Sequence, residues 1–218
     1  MVYFDGTNLL FGNLSYKKKR LFKLSIRMKK KEGKRLYLFC GGKSRRMGFD
    51  KALVKVNGKT LLEYQLNRSA PHFDEIVLLS GANKYEVQLR QLPDYMNNTG
   101  PLAGLCSALH DAAQKNETEI VLLPVDLPAV SVSTLKILSS EALQDKNDAF
   151  LLKSGEQIQP LAGMYRSDIL NQLEEFLNSG QRMVMKFLER LNTSYLEVDE
   201  KELRNINYPG ELRDFLRE

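Results

Sequence analysis

Within residues 36–51, LYLFCGGKSRRMGFDK, an apolar run empties into Gly41, Gly42, Lys43, Arg45, Arg46 and Gly48, then Asp50 and Lys51. Glycines let backbone N–H groups approach an anion closely, and the cations offset its charge, so this order of residue types suits phosphate binding. An ordinary solvated loop has a similar composition; the position directly after a clear strand favours the phosphate reading. The best-known phosphate motifs do not fit. There is no GxGxxG, and a Walker A loop would need glycine where Tyr37 stands. A second focus is Asp126 in LLPVDLP, a carboxylate that follows an apolar run and is bracketed by Pro124 and Pro128. Mg²⁺ takes one or two carboxylates together with substrate phosphates, so Asp126 beside a cationic loop reads as a metal ligand. Alone it would read as a cap for a helix starting near residues 131–133, or simply as the end of the strand.

The elements that must position these residues alternate. Residues 36–39, EIVLL at 75–79 and EIVLL again at 119–123 read as buried strands. Between them, Thr60 with Glu63 three residues on forms a capping box for a short helix ending near Pro71. Residues 84–92 read as a helix stopped by Pro93, and Leu102 opens a helix rich in small residues: Ala103, Gly104, Ser107 and Ala108. Further helices are expected over 131–143, from Ser167 as N-cap to 176, over 183–191 with its methionines in the core, and over 210–216. Strands are expected over 148–152 and 195–198, with the segment 159–165 after a turn at Ser154-Gly155. Strand–helix alternation predicts an α/β fold, three-layered and Rossmann-like, with a mainly parallel central sheet. Ligands of such sheets bind outside the strands' carboxyl ends. Four features fall there: the 41–51 loop, the small residues Ser80, Gly81, Ala82 and Asn83, the Gly100-Pro101 turn, and Asp126. They are expected to converge in one crevice. Asn205 and Asn207, flanking Ile206, would point the same way in an extended segment and, offering donors and an acceptor without charge, suit a polar ligand; turn chemistry before Pro209 is the other reading.

Charge divides the 218 residues. Residues 1–35 hold 11 Lys+Arg against 2 Asp+Glu, a net of +9, whereas the rest hold 21 against 25, a net of −4. The basic character therefore belongs to an N-terminal extension, 1–34, and a single domain is expected over 35–218. The extension reads as a disordered basic tail, as a segment for an anionic surface or partner, or as sequence upstream of a natural start at Met28. A mildly acidic domain argues against nucleic-acid binding. Nothing reaches the roughly 18–20 apolar residues of a membrane span. Two cysteines far apart, Cys40 and Cys106, make neither a CxxC pair nor a disulfide framework, which fits a reducing cytoplasm. His72 and His110 read as surface or core residues rather than zinc ligands.

CGGKSRRMGFDK resembles the N-terminal signature of the molybdenum cofactor guanylyltransferases, a MobA-like nucleotidyltransferase family, roughly LAGGxSxRMGxDK. Four further segments match in order: NNTGPLAGLCSAL the family's GPLAGxxxAL, LLPVDLP its PxDxP metal segment, IQPLAGMY its QPLxxxY strand, and NINYPGEL its NxNxPxEL ending. The resemblance spans about residues 36–216. Cys40 stands for the usual Ala and Ser80 where Asn is common, and the N-terminal extension is not a family feature. Cytidylyl relatives tend to carry Ala-Ala in place of Gly41-Gly42, which favours guanine.

The resemblance implies a Mg²⁺-dependent transfer of GMP from GTP to the terminal phosphate of the molybdenum–molybdopterin cofactor, releasing pyrophosphate. By it, Arg46, Lys51 and Asp126 are catalytic, with Asp126 also the metal ligand. Phe39, Cys40, Gly41, Gly42, Arg45, Lys51, Ser80, Asp94, Gly100 and Asp126 bind GTP. Asn205 and Asn207 face the pterin. Expected partners are GTP, the cofactor, and other cofactor-biosynthesis proteins or molybdoenzymes. The competing expectations are a molybdopterin cytidylyltransferase, a sugar-phosphate nucleotidyltransferase, a non-catalytic relative that only holds cofactor, and nucleic-acid binding through the tail. Gly41-Gly42 speaks against CTP, NINYPGEL against sugars, and Lys51 with Asp126 against lost catalysis; binding through the tail would fall steeply with salt.

Overall fold

A computed structural model describes residues 34–40, 50–56, 58–96, 100–144, 146–206 and 211. The parallel half of the sheet forms from the apolar runs: β1 (Arg35–Phe39), β4 (Glu75–Leu79) and β6 (Glu119–Pro124). β1 pairs in parallel with both β4 and β6, and β4 pairs in parallel with the short β5 (Gln91–Leu92). Strands in this setting are covered on both faces, so they are apolar throughout rather than alternating. Leu36 and Leu38 point to one face, where α1 (Leu61–Ser69) contributes Leu62 and Leu66, and α3 (Val132–Ser140) Leu135 and Leu138. Tyr37 points to the other, where α2 (Leu102–Gln114) contributes Leu105 and Leu109, and α4 (Leu170–Asn178) Leu173 and Phe176. The result is three layers, helices–sheet–helices. Each fully buried leucine adds about 1.5–3 kcal/mol.

In the second half of the sheet a single strand, β8, is reversed, while β7 and β9 keep the direction of β1, β4 and β6. β8 (Gln157–Arg166) runs antiparallel to β6 and to β7 (Ala149–Ser154), and β9 (Thr193–Glu197) lies parallel to β7 at the edge. The order is β5-β4-β1-β6-β8-β7-β9, with a separate two-stranded ribbon of β2 (Lys55–Val56) and β3 (Lys59–Thr60). Gly163 sits in β8 at φ +146, where a Cβ would meet the Phe150 carbonyl oxygen at 2.2 Å. Only glycine permits that approach, next to a register shift between Leu151 and Leu152.

Thr60 caps α1 as expected: its hydroxyl accepts from the Glu63 N–H and the Glu63 carboxylate accepts from the Thr60 N–H. Several other expectations are corrected. Residues 84–92 are not a helix: 84–90 are irregular and 91–92 form β5. Tyr85, Val87 and Leu89 pack on the core at every second position, a strand-like period. The Gln91 amide bridges the Tyr85 backbone, accepting from its N–H at 3.0 Å and donating to its carbonyl at 2.8 Å. The helix expected over 131–143 stops at Ser140; Ser131 is its cap. Ser167 does not cap α4; it opens a 3-10 turn, Ser167–Ile169, and its hydroxyl donates to the Glu117 carbonyl. The helix over 183–191 shortens to α5 (Val184–Leu188), whose Phe187 and Leu188 are buried while Met183 and Met185 are exposed. The short strand expected over 195–198 is β9, two residues earlier at its start. The terminal helix, apart from residue 211, and residues 1–33 lie outside the described residues. Lys34, assigned above to the extension, is bonded into the domain, with Nζ 2.7 Å from Glu119 Oε2.

Candidate active site

β1, β4 and β6 end side by side, and their C-terminal residues are stitched together by backbone bonds. The Cys40 N–H donates to the Leu79 carbonyl at 3.1 Å, and the Val125 N–H to the Phe39 carbonyl at 3.0 Å. This brings two residues 75 positions apart into contact: Lys51 Nζ lies 3.2 Å from Asp126 Oδ2. Both side chains keep part of their surface open, 22% for Lys51 and 25% for Asp126. Among the described residues, the Asp126 carboxylate accepts from no other side chain, so it retains acceptor capacity for a cation.

The backbone on either side of Asp126 is held from two directions. From α1, the buried Gln65 donates to the carbonyls of Leu127 (2.9 Å) and Pro124 (3.4 Å), and the Arg68 guanidinium donates to those of Pro128 and Val130. From the C-terminal segment, the Ile206 N–H donates to the Asp126 carbonyl at 2.8 Å. The helix after the segment is capped by Ser131, not Asp126. Gln65 and Arg68 were not singled out from the sequence. Gln65 did leave a trace there, as a polar residue among the apolar Leu61, Leu62 and Leu66 of one helix.

Lys51 opens a 3-10 turn, Lys51–Leu53, which Asp50 caps by accepting from the Ala52 N–H at 3.0 Å. The other Asp50 oxygen lies 2.9 Å from both Tyr85 Oη and Asn83 Nδ2. Ser80 is buried, and its hydroxyl donates to the Leu92 carbonyl at 3.3 Å, so it joins β4 to β5 rather than offering its hydroxyl outward. Gly81, at φ +58, brings the chain beside Asp94: a Cβ there would sit 3.4 Å from Oδ2. Asp94 itself is exposed. Phe39 packs against α2, where Gly104 leaves it room; a Cβ on Gly104 would lie 2.2 Å from the ring. Gly104 thus serves the packing of α2 against β1. Gly100, at φ +66, makes the turn into α2, its carbonyl accepting from the Ala103 N–H. The Cys40 thiol is buried, and burial pushes its pKa well above the usual thiol range, so it is no nucleophile.

The structure therefore gathers Cys40, Lys51, the 80–83 turn, Asp94 and Asp126 around the ends of β1, β4 and β6. Gly41, Gly42, Arg45, Arg46 and Asn207 lie outside the described residues. Asn205 is exposed while its neighbour Ile206 is buried. Asn205 lines a cavity of about 440 Å³ with Gln157, Lys201, Leu203 and Arg204 among its walls. Away from this crevice, Cys106, His110 and Glu174 have donor atoms within 4.8 Å of one another. His110 is accounted for by Glu174 Oε1 at 2.8 Å and by its ring stacking on Tyr95 at 3.6 Å; burial pushes the Cys106 thiol up to about 12.

Comparison with known proteins gives this arrangement its context. The family of MobA-like NTP transferase domains matches residues 36–194. The chain is 32% identical over 208 residues to the probable molybdenum cofactor guanylyltransferase of Peptoclostridium acidaminophilum, covering 84% of this chain and 90% of that one. It is 27% identical to the molybdenum cofactor guanylyltransferase of Vibrio parahaemolyticus over 82% and 92% of the two chains. Among solved structures, the molybdopterin-guanine dinucleotide biosynthesis protein A of Archaeoglobus fulgidus aligns with a TM-score of 0.67 at 26% identity, covering 83% of this chain and 95% of that one. A 4-diphosphocytidyl-2C-methyl-D-erythritol synthase from Anaerococcus prevotii shares the fold at a TM-score of 0.60 and 14% identity, over 84% and 96% of the chains. With five sequence motifs in order, a three-layer fold, and Lys51 against Asp126 at the strand ends, the chain belongs to the MobA-like NTP transferase family and is a nucleotidyltransferase.

Proposed function

We propose that this nucleotidyltransferase acts in molybdenum cofactor biosynthesis, moving GMP from GTP to the terminal phosphate of the molybdenum-bound pterin. The observation that carries the reading is the Lys51–Asp126 pair, 3.2 Å apart at the carboxyl ends of β1 and β6, with Asp126 still able to accept. The donor set fits a hard divalent cation: an accessible carboxylate oxygen beside a cationic, phosphate-suited segment. Asp126 would hold Mg²⁺, which when bound neutralises triphosphate charge.

The remaining roles follow from charge and position. An oxygen of the acceptor phosphate attacks the α-phosphorus of GTP. The bond from that phosphorus to the bridging oxygen of the β-phosphate breaks, and pyrophosphate leaves. Transfers of this kind need alignment and charge compensation more than a protein nucleophile. Lys51 compensates charge on the phosphates, and in this reading Arg45 and Arg46 do the same while Gly41 and Gly42 admit the nucleotide to the backbone. Asp94 and the Gly81 turn serve the base or ribose, Gly100 the close approach of α2, and Cys40 and Phe39 the floor. Asn205, which lines the 440 Å³ cavity, and Asn207 serve the pterin. A single domain that takes in Lys34 and runs to 218, a cytoplasmic location and hand-over to molybdoenzymes complete the proposal. No helix among the described residues is long and apolar enough to cross a membrane.

The test is calorimetric titration of the purified protein and Mg²⁺ with GTP, CTP, ATP and UTP. GTP is expected to bind at least tenfold more tightly than the others, about 1.4 kcal/mol. A preference for CTP would assign the chain to cytidylyl transfer, and no nucleotide binding would overturn the reading.

A further inference from the structure

We propose that Tyr85 is a positioning residue that bridges Cys40 and Asp50, the residues on either side of positions 41–49, and thereby sets Lys51 against Asp126. The proposal rests on the nucleotidyl-transfer reading of that pair. Cys40 and Asp50 are the described residues that flank positions 41–49. Tyr85 Oη lies 3.2 Å from the Cys40 carbonyl oxygen and 2.9 Å from Asp50 Oδ2. One hydroxyl from a third segment thus spans both ends. Asn83 supports it, donating to the same Asp50 oxygen at 2.9 Å with its amide nitrogen 3.4 Å from Tyr85 Oη.

The hydroxyl is suited to this. Its one proton faces two acceptors, and the shorter bond, at 2.9 Å to the Asp50 carboxylate, is the one that bears on the turn Lys51 opens, with the Cys40 carbonyl at 3.2 Å on the other side. Burial raises the phenol's pKa well above its ordinary value, so the donor is not lost at physiological pH. The ring is itself fixed, at 5% exposure in the core, with its backbone bridged by the Gln91 amide. From Asp50 the connection is short. Its first oxygen caps the turn that Lys51 opens, and Lys51 reaches Asp126 at 3.2 Å. Neither Tyr85 nor Asn83 belongs to the glycine-rich stretch, and neither touches Asp126 in this arrangement, which separates holding the pair from doing the chemistry.

The experiment is Tyr85→Phe, which keeps the buried ring and removes the hydroxyl. Three quantities are compared with wild type: KM and kcat with the nucleotide that wild type prefers, thermal stability, and hydrogen exchange at the Ala52 amide that Asp50 caps. The expected result is a roughly tenfold lower kcat/KM, carried mainly by a higher nucleotide KM. Exchange at Ala52 becomes faster, and Tm moves by only a few degrees. Asn83→Ala lowers kcat/KM in the same direction, and the double variant loses less than the product of the single losses, because both act through Asp50. A Tyr85→Phe protein with wild-type KM, kcat and Ala52 exchange overturns the proposal, as does a drop in Tm with the kinetics unchanged. If wild type binds no nucleotide, the functional reading fails, and Ala52 exchange still decides whether Tyr85 holds the turn.

Discussion

Two carboxylates, each beside cations, show how differently the fold treats similar groups. Asp111, on α2, is 7% exposed, and its oxygens take bonds from Tyr37 at 2.7 Å, from both terminal nitrogens of Arg90 and from Lys115 at 3.2 Å. Burial alone would raise its pKa; the bonds from Arg90, Tyr37 and Lys115 outweigh that and hold it well below the usual carboxylate range. Asp126, at the end of β6, accepts from one described side chain and stays a quarter exposed. A saturated carboxylate has nothing left to offer a ligand and ties β1, the irregular segment before β5 and α2 together. An unsaturated one at the strand ends adds little to stability and is free to act.

The comparison can be broken by separating activity from stability. The largest effect is expected at the open pair. Lys51→Ala should lower kcat/KM for nucleotidyl transfer by about 10²-fold, the scale of removing one transition-state charge partner. Its Tm should change little, because a partly exposed ion pair contributes about 0–1 kcal/mol. Steady-state kinetics and a melting curve decide it; a large Tm loss with preserved kcat/KM would make Lys51 structural.

Asp111→Asn should do the reverse, lowering stability by about 2–3 kcal/mol in denaturant unfolding while leaving kcat/KM near wild type at temperatures where both fold. Its pH dependence sharpens the contrast. The folded pKa of Asp111 is depressed below the unfolded value of about 3.9. Its stabilisation is therefore complete above that value and is lost as pH falls from about 4 through the folded pKa. The smallest effect follows: unfolding curves between about pH 5 and 2 should fall less steeply for Asp111→Asn than for wild type. Parallel curves would show that Asp111 does not carry that acid limb.

The contrast also explains what could be read from the residues alone. β1, β4 and β6 were legible because strands covered on both faces are apolar at every position, and α1 because its capping box is local. That Lys51 and Asp126 meet was legible because each follows an apolar strand of one parallel sheet, whose carboxyl ends lie side by side. The segment 84–90 was misread as helical because its fold depends on the Gln91 amide and on Arg90 reaching Asp111, contacts that periodicity does not report. The antiparallel direction of β8 was equally silent, since the text IQPLAGMY fits either direction and only pairing with β6 and β7 sets it. Gln65, Arg68, Asn83 and Tyr85 act across separations of 33 to 62 residues, where no local pattern marks them.

The central claim, that Asp126 at the end of β6 is the carboxylate that holds the metal for nucleotidyl transfer, is tested most directly by pyrophosphate release. Wild type and Asp126→Asn would be given GTP, Mg²⁺ and molybdenum cofactor. The expected result is acceptor-dependent release by wild type, lowered by about 10²-fold or more in the variant at an unchanged Tm. Equal release by the two proteins would contradict it.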